Sequence, residues 1–106
     1  MKTKQKYIVV YATFPKMRVA KKIVNGLIGN KLVACGNLFK LSSIYIWRGK
    51  IEQCPEYGAL IKTTKKNYKK VERFIKKNHP YEVPEIISWT IERGLEEYLS
   101  WINKET

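Results

Sequence analysis

Apolar residues along this chain keep either a period of two or a period of three to four, and the order in which these alternate predicts a fold. In KYIVVYATF, Tyr7, Val9 and Tyr11 fall on one side and Ile8, Val10 and Ala12 on the other. A strand apolar on both faces belongs in the middle of a sheet. From Lys16 to Asn30, Val19, Ala20, Ile23, Val24, Leu27 and Ile28 recur with helical spacing opposite Arg18, Lys21, Lys22 and Asn25. This predicts an amphipathic helix closing near Gly29. The stretch KLVACGNLFKLSSIYIWRGKIEQCPEYGALIKT is rich in β-formers, with a turn signal at Gly49 and an interruption expected at Pro55. It reads as two long strands joined in a hairpin.

TKKNYKKVERFIKKN is helical again, with Tyr68, Val71, Phe74 and Ile75 on one face and seven Lys/Arg on the other. VPEIISWTI follows as a fourth strand, and GLEEYLSWI as a short terminal helix with Leu95, Tyr98, Leu99 and Ile102 on one side. The order βαββαβ plus a tail helix predicts an α+β fold: a ferredoxin-like, four-stranded antiparallel sheet with its main helices on one face. Residues 1–106 are read as one domain of that kind. The second sheet face would then have no helices over it. Tyr7, Tyr11, Tyr45, Trp47, Tyr57 and Trp89 exceed what one helix layer needs, and an apolar patch of that extent implies a partner.

Charge sharpens the picture. The chain carries 21 Lys+Arg against 9 acids, all glutamate, for a formal net charge of +12. Residues 1–51 hold eleven of the basic residues and no carboxylate. Such a field attracts nucleic acid, acidic surfaces or small anions, although a solvated lysine face is its commonest meaning. The front, MKTKQKYIVVYATFP, has a basic start and an apolar run, but the run is short, ends at Phe14-Pro15 and lacks a small-residue cleavage site. It is read as a strand in a cytoplasmic protein. No apolar stretch approaches the roughly 18 residues that would cross a bilayer.

Cys35 and Cys54 have no CxxC or Cys/His spacing. With RGK as the hairpin turn, Cys35 would sit opposite position 63 and Cys54 opposite position 44. That leaves on the order of 30 Å between them at strand rise, and free thiols are expected.

The sole histidine lies in HPYEVPEI, between the end of the second helix and the fourth strand. Pro80 and Pro84 bias the residues before them away from helix, so the segment should end one element and start another. If it runs extended, His79, Tyr81 and Glu85 share a face and Glu82 points away, with roughly 20 Å between the ends. Sequence neighbours are therefore poor co-ligands, and a metal needs three or four. Lys62 stands out as a charge after the apolar run ALI, and it requires an edge, a cleft or an interface. Glu96 and Glu97 read as solvated surface. No GxSxG, P-loop, GxGxxG or HExxH motif occurs. An RNA-recognition domain shares the βαββαβ order, but EYGALIKT does not carry its third-strand pattern, and the basic residues lie on the helices rather than the open sheet face.

With SIYIWRGKIE, IKT and HPYEVPEI in hand, together with VYATFP, LVACGNL and EYLSWI in the same order, nearly the whole chain resembles the CutA family of divalent-cation tolerance proteins. The resemblance implies a tight homotrimer, with sheets packed inward and hairpins embracing neighbouring subunits. It implies a binding or regulatory role in the response to metal ions rather than catalysis. Family members that bind copper use a cysteine in the first-strand motif and two consecutive histidines before the P-Y pair. Those positions fall here on Ala12, Asn78 and His79, so Cu(II) or another divalent cation would bind weakly at most. The expected ligand site is a cleft between subunits bordered by His79, Tyr81 and Glu85 and joined by Lys62, Glu56 and Trp47, open to a metal ion or a small anionic ligand. RNA binding through the basic surface and an enzyme using the same cleft are the alternatives.

Overall fold

A computed structural model describes residues 6–106; the basic start at residues 1–5 lies outside the described residues. Four strands and three helices follow in the order β1 (Tyr7–Phe14), α1 (Met17–Gly29), β2 (Cys35–Trp47), β3 (Lys50–Thr64), α2 (Tyr68–Asn78), β4 (Ile86–Thr90) and α3 (Glu96–Glu105), with a 3-10 turn at Lys65–Asn67 before α2. The strands lie side by side as β2-β3-β1-β4 and every pairing is antiparallel. This is the ferredoxin-like α+β arrangement that the order of elements predicts.

The two faces of the sheet differ as the period-two pattern requires. On β1 the side chains of Ile8, Val10, Ala12 and Phe14 are fully or nearly fully buried. They meet Ala59 and Ile61 of β3, Ala20, Ile23, Val24 and Leu27 of α1, and Val71 and Ile75 of α2 in one continuous core. Burying a side chain of this size contributes about 1.5–3 kcal/mol, so this layer carries most of the stability. Tyr7, Val9 and Tyr11 alternate with the buried set and are only half-buried. Tyr11 lies between Phe39 and Trp89, with ring centroids 6.3 and 6.4 Å away, on the face that α1 and α2 leave uncovered.

Two expectations about the hairpin need correction. The turn is the two-residue pair Arg48-Gly49, both at positive φ (52° and 80°), with Trp47 opposite Lys50. Primed turns of this kind match the right-handed twist of paired strands. The register is consequently one residue off the expected one: Cys35 faces Lys62, and Cys54 faces Ser43. Both cysteines are free thiols, as expected. Pro55 does not interrupt β3. β3 pairs with β1 only from Tyr57 onward, so among the described residues Pro55 has β2 as its one neighbouring strand, a position that tolerates a missing N–H.

The paired arms of β2 and β3 run on past the helices, and the molecule measures 52 × 25 × 22 Å. At the far end Ile44, Ile46 and Ile51 are 66, 73 and 77% exposed, while Tyr45 and Trp47 of the opposite face are about 40% exposed. A hairpin tip apolar on both faces lacks a hydrophobic partner within its own chain.

Candidate functional site

The segment between α2 and β4 does not run extended. It bends through residues 80–83 and enters β4 only at Ile86. Both prolines lack the N–H that a strand ladder would use, and the ring of His79 supplies a local alternative. Its Nδ1 accepts the backbone N–H of Tyr81 at 3.1 Å, closing a tight turn. Its Nε2 lies 2.7 Å from the carbonyl oxygen of Thr13, which requires the proton on Nε2 and a neutral ring. The imidazole is also stacked on Phe14 at 5.0 Å and tilted against Tyr81 at 4.8 Å. His79 is only 8% exposed.

This arrangement corrects the expected face-sharing of the segment. His79 turns inward, whereas Tyr81, Glu82 and Glu85 all reach a cleft of about 490 Å³. The end of β1 contributes Thr13, the hairpin contributes Tyr45, Trp47 and Glu56, and the bent segment adds Pro80 and Val83. Thus Trp47, Glu56, Tyr81 and Glu85 come together in one cleft, while His79 supports its floor from behind. Lys62 is elsewhere, at the other end of β3, where its Nζ donates to Oδ1 of Asn37 across the β2–β3 ladder. Tyr45 and Glu82 are cleft residues that sequence reasoning passed over. The period-two pattern along IYIW puts Tyr45 beside Trp47 and could have found the first; the bend conceals the second.

Glu56 is the chemical centre of the cleft. It is 4% exposed, yet among the described residues it has a single hydrogen-bond donor, the hydroxyl of Tyr81, 2.8 Å from Oε2. The two ion pairs among the described residues, Arg48 with Glu82 at 3.8 Å and Lys69 with Glu72 at 3.6 Å, leave it without a cation. Its negative field reaches three phenols. Burial, the hydrogen bond to Glu56 and the Glu56 charge push Tyr81 far above the ordinary tyrosine value. Burial, followed by the charges of Glu85 and Glu56, raises Tyr11. Tyr45 is raised first by its contact with Cys54, whose sulfur lies 3.7 Å from the hydroxyl, then by burial and more weakly by the glutamates. At the rim Arg48 lies 5.5 Å from the centre of the Trp47 ring.

The sign of the cleft is therefore negative, in a protein with a net charge of +12. That runs against the expectation of a small anionic ligand. The copper set implied by the resemblance also lacks its geometry: Ala12 and His79 are buried, both imidazole nitrogens are engaged, and Asn78 bonds back to Phe74 O at 2.8 Å. Among the described residues no group of three or more His, Cys, Asp or Glu stands close enough to hold a metal ion. No helix among the described residues is long and apolar enough to cross a membrane.

Comparison with known proteins gives one family throughout. The profile of the CutA1 divalent ion tolerance protein matches residues 8–105. The divalent-cation tolerance protein CutA of Pyrococcus horikoshii is 41% identical over 99 residues, covering 93% of this chain and 97% of that one. The corresponding protein of Thermotoga maritima is 39% identical over 97 residues, covering 92 and 96%. Among solved structures, that of the periplasmic divalent cation tolerance protein CutA from Archaeoglobus fulgidus superposes with a TM-score of 0.92 at 36% identity, covering 93% of this chain and 97% of that one. CutA1 from Oryza sativa gives 0.92 at 35% identity over 95 and 94%.

Proposed function

Because this chain belongs to the CutA1 divalent ion tolerance protein family, we propose that it acts as a homotrimeric binding or regulatory module in the response to metal ions, without catalysis of its own. The observation that carries this reading is the uncovered apolar surface. Ile87 and Trp89 on the open sheet face are 50 and 46% exposed, and the hairpin tip is apolar on both sides. Copies packed sheet to sheet, each clasped by a neighbour's hairpin, would bury Ile87, Trp89 and the Ile44, Ile46 and Ile51 side of the tip, while the Tyr45 and Trp47 side borders the cleft.

The ligand site of the module is the cleft between the hairpin and the bent segment, where Trp47, Glu56, Tyr81 and Glu85 converge. Copper binding is weak at most, since the lone pair of His79, on Nδ1, is taken up by the Tyr81 N–H and the ring is buried. Two free thiols suit a reducing compartment, which supports the cytoplasm.

The test is the solution mass by light scattering on a sizing column. Three times 12.5 kDa is expected; a monomer would leave the aromatic face in water and overturn the reading.

A further inference from the structure

The cleft combines two features that seldom occur together: carboxylates too dispersed to chelate a metal ion, and aromatic walls. Glu56, Glu82 and Glu85 line it, yet they belong to no metal-binding cluster among the described residues. A hard divalent cation needs several oxygens converging at bonding distance, and this site does not offer them. The walls are Tyr45, Trp47 and Tyr81, three rings whose negative faces attract a cation that also has an apolar body. Arg48, packed against Trp47 at 5.5 Å and against Glu82 at 3.8 Å, shows how a guanidinium fits this chemistry at the rim. Deeper in, Glu56 is 4% exposed, takes one hydrogen bond from Tyr81 through Oε2, and has no ion-pair partner among the described residues. Its second oxygen is not sealed in the core but opens to the cleft, so a donor carrying positive charge can reach a carboxylate that is otherwise largely desolvated.

We propose that the cleft binds a small organic cation, an alkylammonium or guanidinium compound, whose charged head reaches Glu56 while its apolar portion lies against Trp47 and Tyr45. The exposed Glu85 adds attraction from the mouth, where Glu82 already has Arg48 as an exposed partner at 3.8 Å. The inference rests on the reading of this cleft as the ligand site, and it assigns the class of ligand.

The test is a titration of the full chain with n-butylammonium and phenylguanidinium chloride, followed by amide and indole NMR shifts. Butanol, magnesium, acetate and phosphate are titrated in parallel. Saturable shifts at Trp47, Tyr81 and Glu85 are expected for the two cations, with affinity falling as salt rises and little response to butanol. Glu56→Gln, which keeps an acceptor for Tyr81, is expected to weaken binding by about tenfold or more. Glu85→Gln, an exposed change that spares the fold, is expected to weaken it by a smaller factor. Equal response to butanol, or affinity unchanged in both variants, overturns the proposal. Magnesium, acetate or phosphate shifting the cleft where the organic cations do not would also overturn it, while leaving the cleft a ligand site. Silence of the cleft toward every probe would remove both readings.

Discussion

The hydroxyl of Tyr81 donates to Oε2 of Glu56 across 2.8 Å, joining the bent segment before β4 to the middle of β3, 25 residues away. This bond closes one side of the cleft and serves as the main support for a carboxylate that is almost fully buried. Tyr81→Phe removes the donor and leaves Glu56 desolvated. Urea denaturation should show a loss of about 1.5–3 kcal/mol, the range for a hydrogen bond to a charged group. Tyr81→Phe combined with Glu56→Leu should recover part of that loss, because the unpaired charge leaves with its partner. A single mutant as stable as the parent would show that water reaches Glu56 freely.

Raised tyrosines make alkaline pH destabilising. Unfolded phenols ionise near about pH 10. In the folded chain burial and the bond to Glu72 push Tyr68 up to about 12, the contact with Cys35 followed by burial pushes Tyr98 up to about 12, and Tyr81 is raised for the reasons already given. A folded value above the unfolded one means that the folded chain holds its protons longer. The stability is therefore fully present below about pH 10 and is lost as pH climbs through the raised values. Phenolate absorbance of the native protein at about pH 11 should fall short of that expected for seven free tyrosines, and unfolding at that pH should release the remainder.

His79 holds the cleft floor rather than its ligand. His79→Ala strands the Thr13 carbonyl and the Tyr81 N–H and empties a ring-sized space against Phe14. A loss of about 2–4 kcal/mol is expected in thermal or urea unfolding. Calorimetry with Cu(II) should find micromolar or weaker affinity in the parent. Nanomolar binding that survives His79→Ala would place the copper ligands elsewhere.

Arg48 is strained for the sake of the turn. It occupies the left-handed region, φ 52°, where a non-glycine residue costs roughly 1 kcal/mol. Its compensation is the Trp47 face and an exposed ion pair with Glu82, a contact of little net value. Arg48→Asn should therefore raise the urea midpoint modestly, equivalent to roughly 0.5 kcal/mol of stability, because asparagine tolerates this conformation. Lys31, with φ 57° just after α1, carries the same strain far from the cleft, and Lys31→Gly should gain stability there. Stability lost in Arg48→Asn but gained in Lys31→Gly would show the contacts of Arg48 to be worth more than its strain.

The sequence made the element order legible because Ile8, Val10 and Ala12 alternate cleanly with Tyr7, Val9 and Tyr11, and because the apolar stripes of α1 and α2 keep helical spacing. It misread three local geometries for a shared reason. The register of the β2–β3 hairpin depends on whether its turn holds two or three residues, and Arg48 has no strong preference for positive φ. Pro55 looks disruptive until the pairing shows which strand lies beside it. The bend after His79 is fixed by a side chain accepting a backbone N–H, which no periodicity records. Hence Glu82 was assigned away from the cleft and His79 to it. Lys62 stands out in the sequence as a charge beside an apolar run, but its partner, Asn37, comes from the facing strand and not from the cleft. A charge beside an apolar run does not say which end of a 15-residue strand it will serve.

Gly26 tests how tightly the helix layer that backs this site is packed. A Cβ placed there would lie 2.6 Å from Cζ and 3.1 Å from Cε1 of Phe74, so α1 and α2 approach through a glycine-on-ring contact. In an exposed helix Gly→Ala would gain about 1 kcal/mol from propensity alone. Overpacking opposes that gain and typically costs about 1–3 kcal/mol, since Phe74 is partly buried and packs against the core. Gly26→Ala is therefore expected to be net destabilising. Phe74→Leu alone should also lose stability, through lost area, yet the double mutant should be more stable than the sum of the two losses predicts, since the shorter side chain leaves room for the methyl. A double-mutant cycle with a coupling of about 1 kcal/mol or more would establish the contact. Simple additivity, or a stabilised Gly26→Ala, would mean that the ring moves aside and that the spacing of the two helices is set by the surrounding core instead.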